Sequence, residues 1–249
     1  MRQGADVQDE MLQTFGDRVP QLWDLHHALS QSGLGWTVGG FLMRAALAAG
    51  AQASAMELAR LPEGAELTPA SEIEIHKLWK CDHPAIGGLP GEYHTPDGLK
   101  RFLDELAPIA EKLAAEGMDF SYHNHNHELV KYGGKTWLAM LYEQAPPDML
   151  KAEIDTFWIQ AGGGDPAAWV RMCAGREPLL HLKDFAMAPG RERRFAEIGE
   201  GNMNWASILE EAKKGGVEWY LVEQDRCYDL DPFESLAISY RNLVAMGFT

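Results

Sequence analysis

From about residue 98 onwards, two hydrophobic periods alternate along the chain. Amphipathic stretches with a helical period take turns with short apolar runs typical of β-strands, and turns rich in glycine or proline separate them. This alternation is typical of parallel βαβ units. It predicts helices at 99–116, 136–144, from 166, at 204–214 and from 231 to about 246, and strands at 119–123, 150–155, 178–183 and 217–223.

The first third of the chain shows a weaker pattern. Residues 84–89 have the composition of a buried strand after a helix-like stretch at 72–80, and 34–38 is a weaker strand candidate. Residues 1–28 contain no convincing strand, and 45–59 are so rich in alanine that they read only as helical or irregular. The pattern therefore predicts six strands, two short of the eight that close a (β/α)8 barrel.

Composition narrows the class of protein. The chain has 249 residues, of which 46% are apolar and 24% charged, and this length suits a single α/β domain over residues 1–249. A net charge of −15 disfavours binding to nucleic acid or to anionic membranes. Residues 1–20 are polar and acidic and do not resemble a secretory signal peptide. No apolar run is long enough for a membrane helix. The three cysteines are widely spaced, which argues against a disulfide framework. We therefore expect a cytoplasmic protein with reduced thiols.

Potential metal ligands occur at the ends of four predicted strands. His123 ends the strand at 119–123, Asp155 ends that at 150–155, His181 lies near the end of 178–183, and Glu223 ends 217–223. In a parallel α/β barrel the carboxyl ends of the strands form the face that carries the active site. Nitrogen and oxygen ligands without cysteine suit Mn²⁺, Mg²⁺, Co²⁺ or Zn²⁺. The sequence therefore predicts a divalent metal site at this face.

Three further side chains near these strand ends are candidates for catalysis. Lys183 follows His181 by two residues and can share its side of the strand, where it would stabilise an enolate; alternatively it is a solvated partner of Asp184. Glu128 is a candidate first metal ligand, a general base or a cap. His125 is a candidate for contact with substrate or for support of the metal ligands.

Aromatic and loop residues complete the candidate site. Tyr122, Phe157 and Trp158 either floor a pocket the size of a sugar or belong to the core. Residues 196–202 form a glycine-rich loop that contains Glu200 and resembles a loop that meets substrate. The loop is acidic and lacks a P-loop lysine, so it is a weak candidate for binding phosphate.

Five motifs in order resemble the sugar phosphate isomerase/epimerase-like group of the xylose isomerase-like TIM barrels. The resemblance covers about residues 70–249 and implies a (β/α)8 barrel that holds a divalent metal between four strand ends. The motifs are Tyr122-His123-Asn124-His125 with Glu128, Glu153-Ile154-Asp155-Thr156, His181-Leu182-Lys183-Asp184, Gly199-Glu200-Gly201-Asn202 and Val222-Glu223-Gln224-Asp225.

Carried over from the family, the metal ligands are Asp155, His181 and Glu223, with His123 as first ligand by position or Glu128 by charge. The chain departs from the family at two places. Trp158 stands where sugar epimerases of the superfamily have a histidine, three residues beyond the aspartate. Family members also begin with strands that residues 1–28 do not show, so the start of the barrel, residues 1–60, is predicted to be divergent or truncated.

The resemblance implies an isomerase or epimerase acting on a keto-sugar or sugar phosphate through a metal-stabilised enediolate. Glu223 or Glu128 would move the proton, and Lys183 or His125 would steady the enediolate. A dehydratase or lyase acting on a keto-inositol or a 3-keto-glycoside would use the same ligands and stays open. A non-catalytic binding subunit is a further alternative that the sequence leaves open. An apurinic endonuclease is disfavoured by the net charge of −15. A small sugar is the expected partner, and homo-oligomerisation is left open.

Overall fold

The computed structural model describes residues 73, 74, 76, 77 and 81–248. Described residues 85–111 and 119–248 belong to one compact unit, which contains the sheet and the residues discussed below. The other described residues belong to a second unit, in which Lys77 and Glu116 form an ion pair. Three predicted features lie outside the described residues: the strand at 34–38, the divergent or truncated start of the barrel at 1–60 and the alanine-rich stretch at 45–59. Within 72–80, residues 73, 74, 76 and 77 are helical as predicted.

The strands in chain order are β1 Ala85–Ile86, β2 Ser121–His123, β3 Lys131–Tyr132, β4 Lys135–Thr136, β5 Lys151–Asp155, β6 Leu179–Leu182, β7 Asp184–Ala188, β8 Glu192–Ala196 and β9 Trp219–Val222. Five of them form a parallel central sheet, in the order β1-β2-β5-β6-β9. Residue pairs His123 with Glu153 and Asp155 with His181 are in register, so neighbouring strands end at the same edge. Two antiparallel hairpins, β3-β4 and β7-β8, lie outside this sheet.

Helices follow the strands, and most begin at a side-chain cap. The carboxylate of Asp165, for example, accepts from the backbone N–H of Ala167, and Pro166 occupies the first helical position, as predicted. The helices are α1 Pro96–Ala115, α2 Trp137–Gln144, α3 Thr156–Ala161, α4 Pro166–Met172, α5 Trp205–Gly215 and α6 Pro232–Ala245, with 3₁₀ turns at Gly91–Tyr93 and His127–Leu129.

The predicted α/β class with a parallel sheet is confirmed, and five of the six predicted strands are among those of the sheet. Helix α3 and both hairpins were not predicted. The β7-β8 hairpin turns at Gly190 and Arg191, which both have positive φ angles. The Pro189-Gly190 dipeptide is the turn signal in the sequence, but the flanking residues lack a clear alternation of apolar and polar side chains.

The core shows how the strands divide their side chains. Ala152, Ile154, Leu180 and Leu182 are buried in one hydrophobic cluster with side chains from the helices. Because successive residues of a strand point to opposite sides, the residues between them share the other side of the sheet. Those residues are polar yet also buried, namely Glu153, Asp155, His181 and Lys183. Towards the strand ends, the sheet is therefore buried on both sides, with apolar side chains on one side and ionisable side chains on the other.

Within the described part of the chain, no helix has the length and apolarity required to cross a lipid bilayer.

We predict that Asp165→Ala lowers the free energy of unfolding by about 1 kcal/mol, because the first turn of α4 loses its capping acceptor. Urea denaturation of the purified variants measures this difference. Asp148→Ala, which removes an exposed aspartate from the turn before β5, is the control and should differ little from wild type. Equal losses in the two variants would contradict a capping role.

Candidate metal centre

Four potential ligands meet at the edge where the parallel strands end. His123 is the last residue of β2, Asp155 the last of β5, His181 lies in β6, and Glu223 follows β9. One donor atom from each residue lies within 4.8 Å of the corresponding atoms of the others. The structure therefore brings together the four residues that the sequence selects as metal ligands.

Asp155 is placed to serve this centre with one oxygen. Its Oδ1 accepts a hydrogen bond from the backbone N–H of Trp158 at 2.8 Å and so caps α3. Its Oδ2 is buried, accepts no hydrogen bond among the described residues, and lies 3.8 Å from Nε2 of His123 and 3.9 Å from Nδ1 of His181. A buried carboxylate oxygen that faces two imidazole nitrogens fits a divalent cation.

The two carboxylates of the centre have opposite pKa shifts. Burial raises the pKa of Asp155 to about 6, although the Lys183 and His181 charges act against it. Burial also acts to raise the pKa of Glu223, but its hydrogen bond with His181, at 2.9 Å between Nδ1 and Oε2, and the charges of His181 and Lys183 outweigh burial and lower that pKa below its usual range. Glu223 is therefore ionised at neutral pH.

Glu153 contacts the imidazole of His181 and orients it. It lies two residues before Asp155, on the same side of β5, and is fully buried. Its Oε1 contacts Nε2 of His181, so the other ring nitrogen, Nδ1, is directed towards Asp155 and Glu223. A carboxylate that binds the ring nitrogen of a ligand histidine that does not face the metal fixes the orientation of the imidazole. Sequence reasoning missed this role, although strand alternation places Glu153 beside the ligands.

Lys183 is the buried cation of the site. Its Nζ lies 3.4 Å from Asp155 Oδ2, 3.2 Å from Glu223 Oε2 and 3.1 Å from Asp225 Oδ1. Burial acts to lower the pKa of Lys183, but the three carboxylates outweigh burial and raise that pKa above its usual value. The alternative in which Lys183 is a solvated partner of Asp184 is wrong, because the side chain is 2% exposed and pairs with these other carboxylates.

Asp184 organises the glycine-rich loop instead. Its Oδ2 accepts from the backbone N–H of Gly199 at 2.8 Å and of Gly201 at 3.2 Å, and from Nε1 of Trp205 at 2.7 Å. A side chain at position 201 would collide with the Asp184 carboxylate, so the close approach requires glycine. Glu200 is exposed and accepts from Nδ2 of Asn242, in α6, at 2.9 Å.

An aromatic wall lies beside the ligands. The His125 ring centre is 5.2 Å from that of His123 and 5.3 Å from that of Trp158, and Nζ of Lys183 lies 5.4 Å from the centre of the Trp158 ring. The centre of the Phe195 ring, from β8, lies 5.7 Å from Nζ of Lys183. Sequence reasoning missed Phe195, because only the hairpin brings it to the site.

Phe157 belongs to the same aromatic group. It is buried, and its ring stacks on that of Phe195 at 4.3 Å between centres.

Tyr122 and Glu128 lie away from the four-ligand centre. The Tyr122 ring is fully buried in the core beside Phe102 and Trp137, and its hydroxyl donates to Glu128 Oε1 at 2.9 Å. Glu128 Oε2 accepts from the backbone N–H of His125 at 2.9 Å. Both oxygens of Glu128 are thus engaged, and of the two candidates for first ligand the structure groups His123, not Glu128, with the other three residues.

Comparison with known families identifies the fold. Residues 65–237 match the family described as "Xylose isomerase-like TIM barrel". The chain belongs to the xylose isomerase-like TIM barrel family. This finding confirms the family resemblance and the fold class expected from the sequence. No curated protein sequence matches the chain significantly.

Several solved structures are similar to this xylose isomerase-like chain. A sugar phosphate isomerase/epimerase from Parabacteroides distasonis has 24% sequence identity and a TM-score of 0.63, over 72% of this chain and 63% of that one. An L-ribulose 3-epimerase has 19% identity and a TM-score of 0.55, over 72% and 65%. A "probable 3-DHS dehydratase" from Bacillus anthracis has 16% identity and a TM-score of 0.55, over 71% and 68%. The chain thus spans about two thirds of these structures, and at these identities the likeness shows the fold alone.

We predict that Asp184→Ala lowers the free energy of unfolding of this xylose isomerase-like protein by about 3 kcal/mol, because the N–H groups of Gly199, Gly201 and Trp205 lose a buried, charged acceptor. Guanidinium denaturation followed by tryptophan fluorescence measures the loss. Glu200→Ala removes an exposed carboxylate from the same loop and serves as the control, with an expected loss below about 1 kcal/mol. A small effect of Asp184→Ala would show that the loop is held by other contacts.

Proposed function

We propose that the protein is a divalent-metal-dependent isomerase or epimerase that acts on a keto-sugar or sugar phosphate. The observation that carries the proposal is the convergence of four ligand-type donor atoms within 4.8 Å at the ends of adjacent strands, with a buried lysine beside them. The similar structures of a sugar phosphate isomerase/epimerase and of an L-ribulose 3-epimerase support it. The net charge of −15 disfavours nucleic acid or an anionic membrane as partner, and we propose a cytoplasmic protein that acts on a small sugar.

His123, Asp155, His181 and Glu223 would hold the cation. When bound, a divalent cation supplies stabilisation of negative charge on a substrate oxygen next to the carbon that loses its proton. Glu153 orients His181 for this task through Nε2, and the backbone of Trp158 orients Asp155 through Oδ1.

Glu223 is our candidate for the group that accepts the proton. It is ionised at neutral pH and, with 38% of its side chain exposed, is the most accessible of the four residues. Glu128, the other candidate base, is buried and already accepts hydrogen bonds from Tyr122 and His125 at its two oxygens. A proton acceptor must reach its substrate, which favours Glu223.

Lys183 and the aromatic wall would position the substrate. The carboxylates around Lys183 keep it protonated, so its ammonium group can donate to an oxygen that gains negative charge in an enediolate. Trp158 and His125 present ring surfaces next to Lys183 and His123, where the apolar face of a sugar ring or chain would pack.

A lyase that dehydrates a keto-inositol or a 3-keto-glycoside is the second candidate. The same removal of a proton next to a carbonyl leads to elimination when a leaving group lies β to that carbonyl. The similar structure of a probable 3-DHS dehydratase supports this second candidate. The two reactions differ in product and therefore separate in one assay.

We predict that Mn²⁺ raises the melting temperature of EDTA-treated wild-type protein and that Asp155→Asn reduces this increase, because the four-residue centre loses a charged ligand. Differential scanning calorimetry with and without Mn²⁺ measures the effect. Asp225→Asn, which alters a Lys183 partner but no proposed ligand, is the matched control and should retain an increase. An increase of equal size in Asp155→Asn would exclude the proposed site for this metal.

We predict that wild-type protein with Mn²⁺ exchanges the proton next to the carbonyl of at least one substrate in a panel of ketoses, ketose phosphates and keto-inositols dissolved in D₂O. Glu223→Gln should slow this exchange by about 10²-fold or more, because an amide cannot accept the proton. Proton NMR measures the exchange and also distinguishes an epimer from an elimination product. Glu210→Gln, which alters an exposed ion pair with Lys214 in α5, is the control with unaltered exchange. Metal binding without exchange of any substrate would favour the non-catalytic binding subunit.

A further inference from the structure

A second group of ligand-type side chains lies outside the four-residue centre. His94 follows the 3₁₀ turn Gly91–Tyr93, and His127 and Glu128 belong to the 3₁₀ turn His127–Leu129. One donor atom from each of the three lies within 4.8 Å of the others. Nε2 of His127 is 3.3 Å, and Nε2 of His94 3.9 Å, from Oε1 of Glu128. We propose that these three residues form a second divalent metal site, which shares no side chain with the first.

The carboxylate of this cluster is held rigidly. Glu128 is fully buried, with Oε1 accepting from the Tyr122 hydroxyl and Oε2 from the backbone N–H of His125. The Tyr122 bond uses one of the two lone pairs of Oε1 and leaves the other for a cation between this oxygen and the two imidazoles. Glu128 is therefore a preorganised anionic ligand rather than a mobile surface carboxylate.

His94 is held just as firmly. Its ring meets that of Trp137 edge-on, at 4.8 Å between centres, and that of His127 at 4.7 Å. Trp137 is in turn fixed by its Nε1–H, which donates to the backbone carbonyl of Tyr93 at 2.9 Å. The hydroxyl of Tyr132 donates to the backbone carbonyl of His94 itself. Both the ring and the backbone of His94 are thus anchored in the packed part of the unit.

The nitrogen that faces the cluster lacks a hydrogen-bond partner. Nε2 of His94 is buried and forms no hydrogen bond with the described residues. A buried nitrogen without a hydrogen-bond partner is destabilising, and coordination of a metal ion would remove that cost.

A simple ion pair between protonated His127 and Glu128 is the competing explanation. It accounts for the 3.3 Å contact but leaves Nε2 of His94 without a role. The side chain of His127 is 50% exposed, so an ion pair there would contribute little to stability. The same exposure leaves the cluster open on one side to water. Two imidazoles, one carboxylate and an open position form a ligand set that suits Zn²⁺ or Co²⁺.

The two sites are neighbours. The His125 ring lies between them, with its centre 5.7 Å from that of His127 and 5.2 Å from that of His123. His125 belongs to neither set of ligands. It therefore offers a matched control, a histidine beside both sites whose loss should leave the number of bound ions unchanged.

The test is a Co²⁺ titration of EDTA-treated protein, followed by visible absorption and by metal analysis after gel filtration. We expect two equivalents in wild type, one in His127→Asn and in His94→Asn, one in Asp155→Asn, none in Asp155→Asn combined with His127→Asn, and two in His125→Asn. Circular dichroism of each metal-free variant checks folding. His127→Asn alters a half-exposed side chain and still tests the site if His94→Asn does not fold.

The outcomes separate this inference from the proposed function. One equivalent in wild type that is lost only in Asp155→Asn would overturn the second site and leave the first intact. Two equivalents that persist in both His94→Asn and His127→Asn would also overturn it. If His127→Asn binds one equivalent fewer than wild type while Asp155→Asn binds as many as wild type, the second site is supported and the four-residue centre is excluded.

Discussion

The ion pairs of Lys183 are the interaction on which the rest of the site depends. Three carboxylates, Asp155, Glu223 and Asp225, surround one buried ammonium group. Buried charges are strongly destabilising unless they are paired. Without this lysine, strand ends rich in acidic residues would repel one another and draw in water. Lys183 therefore allows the chain to place three carboxylates close together at the edge of the sheet, where the proposed function would use its ammonium group as a donor to substrate.

Alternation of side chains along a strand serves both the core and the candidate site. Along β5, Ala152 and Ile154 enter the apolar core, whereas Glu153 and Asp155 enter the site. A shift of register by one residue would exchange these sides and bury charge in the apolar core. Packing of the core thus holds the ligands in place, and the stability of the sheet and the geometry of the centre are not separable properties.

The four candidate ligands could be predicted from sequence because each stands at or next to a strand end, where residue type and period are local features. The structure brings these residues, His123, Asp155, His181 and Glu223, together. The partners of Lys183 and Asp184 could not be predicted, because Lys183 lies between β6 and β7 whereas Asp184 begins β7, and the two side chains reach different, distant segments. Phe195 was missed for a similar reason, since an antiparallel hairpin outside the βαβ pattern carries it to Trp158. The parallel sheet was predictable, and the added hairpins were not.

The hydrogen bond between Asp155 Oδ1 and the backbone N–H of Trp158 makes the orientation of the aspartate independent of the side chain at position 158. The donor belongs to the main chain, which any residue other than proline provides. The side chain at position 158 instead contacts His125 and Lys183. A substitution of Trp158 would therefore reshape the surface beside Lys183 and leave the donor to Asp155 in place.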